Sequence, residues 1–214
     1  MYTYNIYNNR CTITFKTLDE PLLISISKLS FLPATSIYSK RAEVSFIANN
    51  ICSFIEYINV QPGPRNKFTY NDGLCLATTI GNQIFHLEQH GYTFSFIDPK
   101  HIVVVNNKFF LYLGQEHIVK LSNRDTFFIT KPNFMEKNIY TAPEYKQIEK
   151  IPTEIHMKAV YYSLALVIIH SLFPDKDIHD FHINYLMPIV DTKLYWFLIK
   201  CTDRVPSRRI CTII

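Results

Sequence analysis

Phe94 to Gly114, FSFIDPKHIVVVNNKFFLYLG, is the stretch on which the fold turns. Asp98-Pro99 is a turn signal: proline fixes its own φ, and the aspartate can bond the backbone ahead of it. Ile102 to Val105 is a short apolar run of β-branched side chains, which suits a strand. Asn106-Asn107 tolerates the left-handed backbone of a tight turn. Phe109 to Leu113 is a second apolar strand, closed by Gly114. The segment reads as a β-hairpin.

On the N-terminal side, residues 2 to 32 alternate polar and apolar side chains in short runs such as Thr12-Ile13-Thr14-Phe15 and Leu22 to Leu29. This period predicts two or three strands of a small antiparallel sheet. Ser36 is placed to cap a short helix holding Glu43. Ile51 to Tyr57 reads as a buried strand, and Gln61-Pro62-Gly63-Pro64 breaks any regular element. From Asn71 to Gln89, Leu76, Ile80, Ile84 and Leu87 recur at helical spacing, and Gly91 stops the helix. Beyond the hairpin, residues 115 to 140 have no clear period and contain Lys131-Pro132-Asn133. His156 to Phe173 is a helix apolar on nearly every face, the pattern of an element at the centre of a domain.

Composition narrows the class. A chain of 214 residues with 48% hydrophobic and 14% aromatic side chains is a folded globule, as one domain or two small lobes sharing a core. The net charge of +4 is modest, and Lys40-Arg41 and Arg208-Arg209 are only dipeptides, so no nucleic-acid partner is expected. The longest apolar run, Leu164 to Ile169, is too short to cross a membrane, and no signal-like segment opens the sequence. Five scattered cysteines without a C-x-x-C are expected to be reduced thiols of an intracellular, cytoplasmic protein.

The hairpin and the landmarks after it resemble a protein kinase. The cadence is that of the H-R-D-L-K-P-E-N catalytic loop running on to D-F-G, with Ile97 at the Leu position, Pro99 at the Pro position and Gly114 closing the D-F-G slot. Tyr140-Thr141-Ala142-Pro143-Glu144 matches the A-P-E motif that ends the activation segment, here residues 115 to 140. Tyr162-Ser163-Leu164-Ala165 stands where kinases carry W/Y-S-L-G, and Lys200-Cys201 to Arg209 resembles the closing K-C-x-x-x-x-P-x-x-R. The order and spacing of these landmarks cover residues 70 to 214; residues 1 to 60 match by position alone.

The resemblance implies an α+β, kinase-like fold with a reduced N-terminal β-rich lobe (1–60) and a helical C-terminal lobe (61–214). It also implies that the chemistry has been lost. Phe96 stands at the catalytic Asp, His101 at the metal-binding Asn and Tyr112 at the D-F-G Asp. Mg²⁺ asks for hard oxygen ligands, which Phe96 and Tyr112 lack and His101 replaces with nitrogen. The first glycine is Gly63, so a glycine-rich loop over the phosphates is missing. Lys28 and Glu43 are weak candidates for the nucleotide-binding Lys and its Glu partner; a solvated Lys and an ordinary surface Glu are the better-favoured alternative. Glu56 and Tyr57 fall at the start of the inter-lobe hinge. Val160 replaces the Asp that braces the catalytic loop, and Glu144 and Arg209 are expected to form a buried structural ion pair.

The function so implied is that of a pseudokinase without cofactor, metal or Mg-ATP. It would act by protein–protein interaction as scaffold, allosteric partner or decoy. Its partner would be a true kinase or a virus assembly component, since heavy use of Asn, Ile, Lys and Tyr suits an AT-rich genome such as that of a large DNA virus. Two alternatives stay open. One is an enzyme for atypical nucleotide-dependent transfer with Asp98 as base, in a register that puts Asp98-Pro99-Lys100 at the Asp-x-Lys spacing. The other is a structural assembly component. His86 and His90 have a zinc-like i, i+4 spacing, but the order is H-x-E-x-H and no third ligand follows, so no metal is expected there.

Overall fold

A computed structural model describes residues 2–27, 35–59, 68–131 and 138–212. It is mixed α+β, with short strands gathered in four small sheets around three principal helices. The partition between its two main cores is the quoted hairpin, β7 (Ile102–Val105) and β8 (Phe109–Tyr112). Alternate side chains of a strand point to opposite faces. Ile102, Val104, Phe110 and Tyr112 therefore enter the helical core. Val103, Val105, Leu111 and Leu113 enter the core of the N-terminal sheet. A strand pair covered on both faces must be apolar at every position, which is why the run carries no polar alternation. Asn106 and Asn107, at φ 54° and 53°, make the turn.

The N-terminal sheet has the order β1-β2-β4-β3. β1 (Tyr2–Tyr7) and β2 (Arg10–Phe15) form a hairpin through Asn8-Asn9, at φ 49° and 59°, the left-handed pair that a two-residue turn needs. β3 (Ser36–Tyr38) and β4 (Glu43–Ile47) complete the sheet. Glu43 thus stands on a strand opposite Thr14 and Tyr38, correcting the capped helix expected from Ser36. Ala42 at φ 51° turns the chain into β4, whose Val44 and Phe46 are buried.

Leu22 to Leu29 is a second correction. Glu20–Ser27 is a helix, α1, and its start is fixed by the Asp19 carboxylate, which accepts from Leu22 N–H at 3.1 Å. Leu22, Ser25 and Ile26 then share the buried face. Lys28 lies outside the described residues. The strand read over Ile51 to Tyr57 is likewise shorter: β5 is Ile51–Ser53, and α2 is Phe54–Asn59. Ser53 and Glu56 form a reciprocal cap, with Ser53 N–H to Glu56 at 2.8 Å and Glu56 N–H to Ser53 Oγ at 3.1 Å. Glu56 and Tyr57 sit in that helix, and the Gln61–Pro64 break lies outside the described residues. β5 pairs with β7, so the first 60 residues supply the third strand of the hairpin's sheet.

α3 (Tyr70–Gln89) starts at a Thr69–Asp72 capping box and ends before Gly91, at φ 78°. α4 is Ala159–Leu172, three residues shorter at its start than the apolar run suggests. His156 belongs to β11 (Thr153–His156), paired with β10 (Thr126–Ile129), and Met157 N–H is taken by Asp125 O at 2.7 Å. Residues 115 to 140 therefore hold regular structure as well: β10, and β9 (Ile118–Lys120) paired with β6 (Tyr92–Phe94). α5 (Lys193–Cys201) closes the helical core through Leu194, Phe197 and Leu198. Among the described residues no helix is long and apolar enough to cross a membrane.

Candidate functional site

The segment from Phe94 to His101 is held in place from below by α4 and from the side by β8. Ser163 Oγ on α4 accepts from Ile97 N–H at 2.8 Å, a buried contact between groups 66 residues apart. Tyr145 donates to Ser95 O at 2.5 Å. At the turn itself Asp98 accepts from Lys100 N–H at 3.0 Å, and Pro99 fixes the first position of the 3-10 turn Pro99–His101. The Asp98 carboxylate therefore serves as a cap.

Tyr112 sits at the end of β8 with no exposed surface. Its backbone is matched by a side-chain amide on α3. Gln83 Oε1 accepts from Tyr112 N–H at 2.8 Å, and Gln83 Nε2 donates to Tyr112 O at 3.3 Å. Gln83 thus acts as the strand partner that β8 lacks on that edge. The ring lies against Gly114, where an added Cβ would meet Tyr112 Oη at 2.6 Å and Cζ at 2.7 Å. The glycine is required there by space, since its φ of −74° suits any residue.

The phenol hydroxyl has three neighbours: Asp98 N–H at 3.1 Å, Phe96 O at 3.2 Å, and His117 Nδ1 in a short contact. One arrangement satisfies all of them. The hydroxyl donates to the Phe96 carbonyl and accepts from Asp98 N–H and from a protonated Nδ1 of His117. Burial pushes the Tyr112 phenol well above its ordinary pKa, so it stays neutral. Burial likewise pulls His117 down to about 4, with the neighbouring His101 acting in the same direction.

Phe96, His101 and Tyr112, the three positions singled out from the sequence, meet around His117. The Phe96 ring lies 4.2 Å from that of His117, and the His101 ring 5.1 Å away and nearly perpendicular to it. His101 Nε2 is 3.0 Å from Glu116 Oε1. Glu116 and His117 were missed by the sequence reading; the available signal was an adjacent acid and imidazole right after the hairpin's closing glycine. Among the described residues, His101, Glu116 and His117 are the group of three metal-ligating side chains, with donor atoms within 4.8 Å of one another. The expectation of no metal rests on the Mg²⁺ positions Phe96, His101 and Tyr112 and on the zinc-like spacing of His86 and His90, and it does not take in Glu116 or His117. The His86 and His90 rings lie 4.5 Å apart, with His90 Nδ1 2.8 Å from His86 O.

Glu144 and Arg209 face each other at two points, Nη1–Oε1 at 2.6 Å and Nη2–Oε2 at 2.9 Å. Arg209 has no exposed surface, its Nε reaches Asp203 O at 2.8 Å, and its guanidinium lies 5.0 Å over the Tyr162 ring. The pair ties the 3-10 turn Pro143–Gln147 to the C-terminal segment. Glu43 stands half-buried at the start of β4 rather than on a helix.

No protein-family model matches this chain, and no curated protein matches it.

Proposed function

We propose that this chain is a kinase-like protein emptied of phosphoryl-transfer chemistry, a pseudokinase that works by binding another protein. The observation that carries the reading is Tyr112. At the position the resemblance assigns to a metal-binding carboxylate stands a buried, neutral phenol whose hydroxyl is committed to Phe96, Asp98 and His117. Phosphoryl transfer depends on carboxylate and amide oxygens that hold Mg²⁺ against the phosphates. The Asp98 carboxylate, the alternative base, uses one of its oxygens as a cap.

Two further contacts support the kinase-like part of the reading. The bidentate Glu144–Arg209 pair links the A-P-E match to the closing Arg. Ser163 holds Ile97 where the resemblance expects a bracing Asp one turn earlier, at Val160. Support for a protein partner comes from large apolar side chains left exposed on adjoining elements: Ile183, Met187 and Val190 beside α5, and Trp196 on it, the last 50% exposed. A partner would be another kinase or an assembly component.

Purified protein incubated with γ-labelled ATP, Mg²⁺ or Mn²⁺ and generic acceptor proteins is expected to transfer no label. Transfer above the level of a boiled control would replace this reading with the enzyme. Cross-linked capture from the native cell is expected to recover a specific protein with the wild type and to lose it with Trp196→Asp.

A further inference from the structure

We propose that His101, Glu116 and His117 form a zinc site with one coordination position open to solvent. It lies beside the hairpin and is independent of whether the fold once served a kinase.

Three features of the arrangement carry this. The ligand set is the first: two imidazoles and one carboxylate are donors that Zn²⁺ takes readily in four-coordinate sites whose fourth position holds water. The same set is poor for Mg²⁺, which prefers oxygen and keeps its own waters.

Spacing is the second. Zinc–ligand bonds of about 2.0–2.2 Å at tetrahedral angles put donor atoms about 3.4 Å apart. His101 Nε2 and Glu116 Oε1 are already at 3.0 Å, and all three donors fall within 4.8 Å. The widest of these separations exceeds the tetrahedral spacing by at most about 1.4 Å. The side chains of Glu116 and His101, 51% and 25% exposed, have room to share the adjustment.

Preorganisation is the third. The His101 carbonyl accepts from Leu113 N–H at 2.9 Å, and the His117 carbonyl accepts from Ser95 N–H at 2.8 Å, so both backbones are fixed. The Tyr112 hydroxyl holds His117 Nδ1. When Nδ1 carries the proton, Nε2 keeps its lone pair, the tautomer a metal ligand needs. A second hydrogen bond that orients a ligating histidine through its other nitrogen is the usual companion of such sites.

The site joins the 3-10 turn before β7 to the 3-10 turn Gln115–His117 before β9. With Glu116 and part of His101 reachable from solvent, the open position can hold water or a donor from a bound partner.

The test uses the full chain stripped of metal with a chelator and titrated with zinc chloride by calorimetry, with Co²⁺ absorption as an independent readout of coordination. The wild type is expected to bind one equivalent of zinc, to gain several degrees in thermal midpoint, and to give the visible bands of tetrahedral cobalt. Millimolar Mg²⁺ is expected to do neither. His101→Ala and Glu116→Gln alter partly exposed side chains and leave the metal-free midpoint near that of the wild type. Each should weaken zinc by at least about tenfold. Absence of a stoichiometric site in the wild type overturns the proposal. So does zinc binding that survives in the double variant, which would place the metal on the thiols or on His86 and His90. Failure here leaves the ATP experiment untouched, because that experiment reads nucleotide rather than zinc.

Discussion

Replacing Arg209 by alanine is the sharpest test of how the C-terminal segment is held. Three things are lost together. The Glu144 carboxylate loses both of its charged contacts, at 2.6 and 2.9 Å. The carbonyls of Asp203 and Lys158 lose donors at 2.8 and 3.3 Å. The volume of a fully buried side chain over Tyr162 is vacated. Removing one partner of a buried pair costs about 3–5 kcal/mol, mostly because the other charge is stranded. The Glu144 side chain keeps 16% of its surface, so water reaches the stranded carboxylate and the lower end, about 3 kcal/mol, applies. In a chain of this size each kcal/mol moves the thermal midpoint by about 2–4 °C, which gives a fall of about 6–12 °C. Urea unfolding followed by circular dichroism measures the loss directly. Arg209→Lys should recover little of it, since an ammonium cannot make the planar two-point contact. A double-mutant cycle with Glu144→Gln should show strong coupling. An Arg209→Ala protein within about 1 kcal/mol of the wild type would refute the reasoning, because that is the range of an exposed pair.

Gly114→Ala should destabilise the protein and disorder the Tyr112 environment, because the new methyl overlaps a ring whose hydroxyl is held at three points; an unchanged midpoint and unchanged aromatic circular dichroism would count against the packing described. Glu88 should impose a pH dependence. Burial pushes its carboxyl up to about 7 from an ordinary 4.5, against the opposing hydrogen bond from Tyr161. The folded state then holds a proton that the unfolded chain releases, so stability falls as pH rises from about 4.5 to about 7 and is level above that. At 1.36 kcal/mol per unit the loss is on the order of 3 kcal/mol, and Glu88→Gln should abolish it; a wild-type midpoint flat across that range would contradict the assignment.

Much of the fold was legible where one local pattern had one meaning. The Asn-Asn turn between two apolar runs, the i, i+4 stripe of α3 and the all-round apolar α4 each correspond to a described element. The N-terminal third was harder because periods competed. Ile24-Ser25-Ile26-Ser27 alternates like a strand, yet Asp19 ahead of it caps a helix and puts Leu22 and Ile26 on one buried face. Ser53-Phe54-Ile55-Glu56 is a capping-box signature inside an apolar run, and the run hid it. Of the site, Phe96, His101 and Tyr112 were found because a known motif pointed at their positions. Glu116 and His117 carry no motif, and they meet His101 only through the hairpin, which folds a 15-residue separation back on itself. Gln83 was invisible for the same reason: a polar residue on the buried side of an amphipathic helix announces a partner but not which one.

Equilibrium binding of ATP tests the central claim most directly. A ligand at a hundred times its dissociation constant stabilises a fold by about 2.7 kcal/mol, a shift easily seen in a thermal melt. The account predicts that millimolar ATP with Mg²⁺ leaves the midpoint where Mg²⁺ alone leaves it. A rise that requires both ATP and Mg²⁺ would contradict the pseudokinase reading and favour an enzyme.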